Sequence, residues 1–137
     1  MRRTVQQWAT SRRAVCAIAA LFVMTPMAAL SAELAMLDSL TKGEWTLRIR
    51  DDGSAQRICV RDGRELVQLR HRQTGCSRFV VQDGSQEVVV QYTCPGNGYG
   101  RTSIRREGSG LVQIETQGIY DGAPFSFGGE ARRTGSC

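Results

Sequence analysis

The sequence predicts an all-β domain: an antiparallel meander forming an open barrel or curved sheet, with a short N-terminal helix and two disulfides. Three observations predict it. Apolar residues recur at every second position over several short runs, the period of a half-buried strand. Asp-Gly steps at Asp52, Asp62, Asp83 and Asp121 separate these runs, and they fit tight hairpins because glycine accepts positive φ without a Cβ clash. Cys59, Cys76, Cys94 and Cys137 form an even set in a short chain that opens with an export signal, which reads as a disulfide framework.

The length of 137 residues suits one domain. The first stretch carries Arg2, Arg3, Arg12 and Arg13 and no acid before Glu33. Ala14 to Ala29 is almost wholly apolar, and small residues follow at Ala28, Ala29, Ser31 and Ala32. A basic start, a short apolar run and a small-residue end describe a secretory signal. We expect a signal peptide over 1–32 and a single β domain over 33–137, with a cut after Ala29 as the alternative. A retained anchor is the competing reading, but the apolar run falls short of the roughly 20 residues a spanning helix needs. Ser11-Arg12-Arg13 resembles the start of a twin-arginine signal, a weak feature in any basic leader. Cys16 stands near the start of the apolar run, the wrong place for lipid attachment, and leaves with the signal.

The whole chain holds 18 Lys and Arg against 13 Asp and Glu, a net +5. Removing residues 1–32 removes four arginines and no acid, which leaves 14 against 13, or +1. The basic character therefore sits partly in the leader. Nucleic-acid binding needs basic residues concentrated on one face, and none is expected here.

Zinc is the rival explanation of the cysteines. Structural zinc sites use pairs two to four residues apart, and these cysteines are widely spaced. Four cysteines allow three pairings. Geometry favours one of them. A hairpin folded near Asp83 to Gln86 brings Cys76 and Cys94 nearly opposite, leaving Cys59 for Cys137. Strict alternation then puts Cys76 on the face of Val80 and turns Phe79 and Val81 away from Val90, so agreement needs a bulge.

The elements follow in order. Leu34, Met36, Leu37 and Leu40 mark one or two helical turns. Trp45, Leu47 and Ile49 open the alternating pattern, and Gln56 to Val60 continues it with Ile58 and Val60 on one face. Glu65 to Arg72 fits a strand or a short helix. Phe79 and Val81, then Val88, Val90 and Tyr92, form the clearest hairpin. The Pro95 to Gly100 loop leads to a strand over Arg101 to Arg106. Val112, Ile114 and Thr116 mark the next strand, and Phe125 and Phe127 open the last after a turn over Tyr120 to Pro124. The expected core face joins Trp45, Leu47, Ile49, Ile58, Phe79, Val81, Val88, Val90, Ile114, Phe125 and Phe127. The other face is rich in Arg, Gln, Thr, Ser and Glu and is expected to be wet, with Val80 and Val89 as exceptions.

Candidate sites are few. His71, the single histidine, lies between Arg70 and Arg72 without an evident catalytic or ligating partner and reads as an exposed polar residue. Pro95 to Gly100 lacks the spacing of a phosphate loop and reads as a connection. Asp51-Asp52-Gly53 lacks the alternating acids of a calcium loop and reads as a β-turn. Arg48, Arg50, Arg57, Arg101 and Arg105 would form a stripe toward an anionic envelope component if their strands were neighbours. The balanced charge favours a solvated face interleaved with acids. No catalytic, metal-binding or cofactor residue is singled out. Paired carboxylates in an envelope hydrolase remain an alternative.

The order of features resembles the domain of unknown function 3617 family of small exported bacterial proteins. The resemblance rests on Gly43-Glu44-Trp45, on Cys59 and Cys76, and on Cys94 followed by Pro95-Gly96-Asn97-Gly98. It is completed by the ending Ala131-Arg132-Arg133-Thr134-Gly135-Ser136-Cys137. It covers most of the chain after the leader. It implies a periplasmic β domain, a helical segment after the first cysteine, and no assigned activity. The expected function is non-catalytic binding of an envelope partner or an apolar small molecule, through the sheet or the barrel mouth.

Overall fold

The computed structural model describes residues 33–137. The export signal, its cut sites and Cys16 lie outside the described residues. A short helix, α1 (Ala35–Asp38), leads into β1 (Gly43–Ile49) and β2 (Ala55–Val60). A 3₁₀ turn at Arg64–Leu66 follows. Five strands complete the chain: β3 (Ser77–Asp83), β4 (Glu87–Cys94), β5 (Gly98–Gly108), β6 (Leu111–Tyr120) and β7 (Ala123–Gly135). They form one seven-stranded sheet in the order β2-β1-β7-β6-β5-β4-β3, and every pairing is antiparallel.

From β3 to β7 the sheet is the expected meander. The step that local periodicity does not show is the pairing of β7 with β1, which returns the chain end to its beginning. The sheet stays open: β2 and β3 are its two edges, and residues 61–76 cross the gap between them. Asp121-Gly122 makes a two-residue hairpin, with positive φ at both residues, 49° and 75°, and Tyr120 facing Ala123. That combination is the preference of a two-residue turn matched to strand twist.

The inner face is filled by the chain itself. Trp45, Leu47, Val88, Val90, Ile104, Val112 and Ile114 point inward from the strands and are buried. Leu37 from α1 and Leu66 and Val67 from the 3₁₀ turn meet them with no exposed surface. The ambiguous run after Cys59 is thus one short 3₁₀ turn followed by irregular chain, and it caps the core. Trp45 Nε1 donates to the Thr41 carbonyl at 2.9 Å, so the largest core side chain leaves no polar atom unpaired.

Two core expectations are corrected. Phe79 and Val81 are exposed, at 69% and 42%. In their place Val80 packs against the core, opposite Val90. The register shifts between Val80 and Gln82, so one extra residue separates the inward Val80 from the inward Asp83. The Leu34 amide donates to the Asp83 carboxylate at 3.0 Å across this bulge. Ile49, Ile58 and Phe127 sit at the margin of the core, partly buried, whereas Phe125, also expected there, lies outside that cluster and packs on His71. Val89 is buried although it points outward.

Both disulfides pair as the hairpin geometry indicates. Cys76 and Cys94 join with Cα atoms 4.3 Å apart, and Cys59 and Cys137 with Cα atoms 5.6 Å apart. The first ties β4 to the segment entering β3. The second ties the edge strand β2 to the C-terminus just past β7. Disulfides are compatible with an oxidising compartment outside the cytoplasm. No helix among the described residues is long and apolar enough to cross a membrane.

Candidate functional site

The open gap between β2 and β3 is a cleft of about 360 Å³. One wall is the β2 edge, Gln56 to Cys59, whose outer backbone has no partner strand. The other is the crossing segment, with Glu65, Gln68, Leu69, His71, Arg72 and Gln73, joined by Arg78 from β3. Leu69 and Ile58 supply an apolar floor, and the rest of the lining is polar.

Three guanidinium groups converge here. Arg57, Arg72 and Arg78 are all exposed, and among the described residues none makes a salt bridge. Arg78 Nε donates to Gln68 Oε1 at 2.7 Å, which orients that group while leaving its terminal nitrogens free. The acid in this cleft, Glu65, accepts the backbone N–H groups of Arg61 and Asp62 at 3.0 and 3.4 Å. It thereby holds the turn after β2 and leaves the guanidinium groups without a counter-ion. Arginine forks of this kind suit carboxylate or phosphate oxygens.

His71 forms the back of the cleft and overturns its expected exposure: it is wholly buried. Nε2 lies 3.0 Å from the Asn97 carbonyl, which can only accept, so Nε2 carries the proton. Nδ1, 3.0 Å from the Tyr92 hydroxyl, then accepts the phenolic proton. The rings of Tyr92 and Tyr120 meet the imidazole edge-on, with centroids 5.2 and 5.1 Å away, and Phe125 leans on it at 5.8 Å. Arg70 covers the far side of Tyr120, 4.7 Å from the ring centroid. Burial pushes the Tyr92 phenol up to about 12. Both imidazole nitrogens are engaged by structural partners. The connection expected over Pro95 to Gly100 is shorter, a turn over 95–97, because Gly98 to Gly100 already belong to β5; its Asn97 is the anchor for His71.

The arginines form the solvated face interleaved with acids that the balanced charge favours, not a stripe: Arg48 lies on β1, Arg50 in the turn just past it, and Arg101 and Arg105 on β5, with β7 and β6 between β1 and β5. Arg50 pairs with Glu115, and Arg105 with Glu107 at 3.2 Å. Arg132 pairs with Glu130 at 3.1 Å, and the Arg132 guanidinium holds that carboxyl below its usual range. Arg57 alone of the five joins the cleft. Asp52 accepts the Ser54 amide at 2.8 Å in an ordinary turn, as the sequence indicates.

Two carboxylates approach each other on the outer face: Gln113 Nε2 donates to Glu107 at 3.3 Å and to Glu130 at 3.2 Å, and each of these acids is also paired with an arginine. Glu65, Glu115 and Glu130 each line a different depression. Among the described residues no three His, Cys, Asp or Glu side chains group as a metal site. Comparison of the chain with protein-family models, with curated proteins and with solved structures returns no significant match.

Proposed function

We propose that the chain is a non-catalytic binding protein of the periplasm, exported by way of residues 1–32, that holds a small anionic ligand in the cleft between β2 and β3. The observation that carries this reading is the convergence of Arg57, Arg72 and Arg78 without counter-ions, beside a sheet interior filled by α1 and the 3₁₀ turn. The filled interior argues against an apolar small molecule enclosed by the sheet. The acids that Gln113 brings together, Glu107 and Glu130, are each paired with an arginine and do not share a depression, which argues against the alternative of an envelope hydrolase with two convergent acids in one cleft. Two disulfides support a life in an oxidising compartment. Membership of the domain of unknown function 3617 family belongs to the same proposal, on the ordered motifs from Gly43-Glu44-Trp45 to Cys137.

Each hydrogen bond from a guanidinium to an anionic oxygen contributes about 1.5–3 kcal/mol. Two such contacts give a measurable affinity that weakens with salt. The test is amide chemical-shift mapping of the mature protein against citrate and glycerol phosphate. Shifts should cluster at Gln56 to Cys59 and Gln68 to Gln73, and Arg57→Gln with Arg78→Gln should abolish them. Undiminished shifts in that double variant would refute the reading.

A further inference from the structure

The outer face of the sheet is chemically divided. Toward the β5–β6 turn its side chains bond to one another. Arg50 reaches Glu115 and Gln113, Gln113 reaches Glu107 and Glu130, and Ser103 donates to Glu87 at 2.6 Å. Toward the β6–β7 turn the pattern stops. Strand register aligns Phe79, Gln91, Arg101, Gln117 and Ser126 in one line across β3, β4, β5, β6 and β7. Strands lie about 4.8 Å apart, so this line runs about 19 Å. Tyr99 stands two residues from Arg101 on β5 and is 49% exposed. Phe79 is the β3 end of the line and is more exposed still. Among the described residues, the side chains of Gln91, Arg101, Gln117, Ser126 and Tyr99 make no hydrogen bond and no salt bridge. A groove of about 390 Å³ runs beside Tyr99, Arg101 and Gln117 and continues into one of about 210 Å³ that shares Arg101, Gln117 and Ser126.

We infer that this half of the outer face is a second binding site, separate from the cleft, for an oligosaccharide that carries a carboxylate. Exposed aromatic rings offer flat apolar faces to pyranose C–H groups. The amides of Gln91 and Gln117 and the Ser126 hydroxyl, on the strands beside Tyr99, donate and accept as a sugar's hydroxyls require. Arg101 is the one charge in the line, and its planar fork suits a carboxylate. A protein partner would call for a contiguous apolar centre ringed by polar groups. Here Phe79 and Tyr99 are separated by the β4 strand with Gln91, and Arg101, Gln117 and Ser126 lie beside Tyr99, so no contiguous apolar centre forms, which favours the saccharide.

The mature protein is titrated by amide chemical-shift mapping with muramic-acid disaccharides, with oligogalacturonate and with neutral cello-oligosaccharide. Acidic oligosaccharides should shift Gln91, Arg101 and Gln117 and leave the cleft unmoved. Tyr99→Ala should weaken binding by roughly tenfold, the equivalent of about 1.4 kcal/mol. Arg101→Gln should erase the preference for acidic over neutral sugar. Phe79→Ala, at a side chain outside the core, gives a second variant that keeps the fold. Absence of shifts at millimolar acidic oligosaccharide, affinity unchanged in Tyr99→Ala and Phe79→Ala, or a protein partner occupying this face while sugars leave it untouched would each overturn the inference.

Discussion

Replacing His71 with phenylalanine keeps a ring among Tyr92, Tyr120 and Phe125 and removes both polar contacts. The cost follows from what is left behind. The Asn97 carbonyl loses a donor at 3.0 Å but still accepts from the Asp121 amide at 3.3 Å. The Tyr92 hydroxyl loses its acceptor and keeps Thr116 within reach. A buried polar group stripped of its partner costs about 1–3 kcal/mol, and these remaining contacts hold each cost near the lower end. His71→Phe should therefore destabilise by about 2–3 kcal/mol, a fall in Tm of roughly 8–24 °C for a domain of this size. Urea denaturation of the oxidised protein measures it directly. The coupling is the sharper test. Removing both members of a buried pair is cheaper than removing one, so His71→Phe with Tyr92→Phe should cost about 1 kcal/mol less than the two single changes added. A single variant within about 0.5 kcal/mol of the parent, or strict additivity, would refute the role given to this pair.

Three further outcomes are expected. The Tyr92 phenol, raised to about 12 from 10.0, keeps its proton in the folded chain where the unfolded chain loses it. Stability should therefore fall as pH rises from about 10 to 12, by up to about 2–3 kcal/mol, and urea midpoints across that range should flatten in Tyr92→Phe. Gly118→Ala would drive its Cβ into the Tyr99 carbonyl and to 2.7 Å from the Gly100 Cα, so it should lower the urea midpoint by more than 2 kcal/mol, about as much as overpacking costs elsewhere. Loss of the Cys59–Cys137 bridge, which closes 78 residues, should destabilise by about 4–5 kcal/mol, against about 3 kcal/mol for Cys76–Cys94, which closes 18; paired alanine variants compared by urea titration would show the order.

Much of the fold is legible because it rests on short-range chemistry. Three of the four Asp-Gly steps, at Asp52, Asp83 and Asp121, stand at hairpins, while Asp62-Gly63 leads from β2 into the 3₁₀ turn; the hairpin after Asp83 sets the Cys76–Cys94 pairing. Trp45 and Leu47, or Val88 and Val90, reveal their inward face by spacing alone. Phe79 and Val81 are misread because their hydropathy outweighs parity: alternation from Cys76 already turns Val80 inward and Phe79 outward, and Val81 stands at the register shift that follows. The closure of β7 on β1 joins residues some ninety apart in sequence, as the Thr134 contact to Glu44 shows, and no periodic signal spans such a distance. His71 is a different failure. Its two flanking arginines suggest an exposed segment, yet Val67, Leu69 and His71 alternate with Gln68, Arg70 and Arg72, and all three of the former are buried. That period of two was the available signal. The cleft was not legible, because Arg57, Arg72 and Arg78 meet only once the two sheet edges face each other.

Native mass spectrometry of the protein purified from cells that express the full chain, in both the parent and the Arg57→Gln, Arg78→Gln forms, tests the central claim most directly. The account predicts a small anionic adduct on the parent that the double variant lacks. An apolar lipid retained equally by both would contradict it.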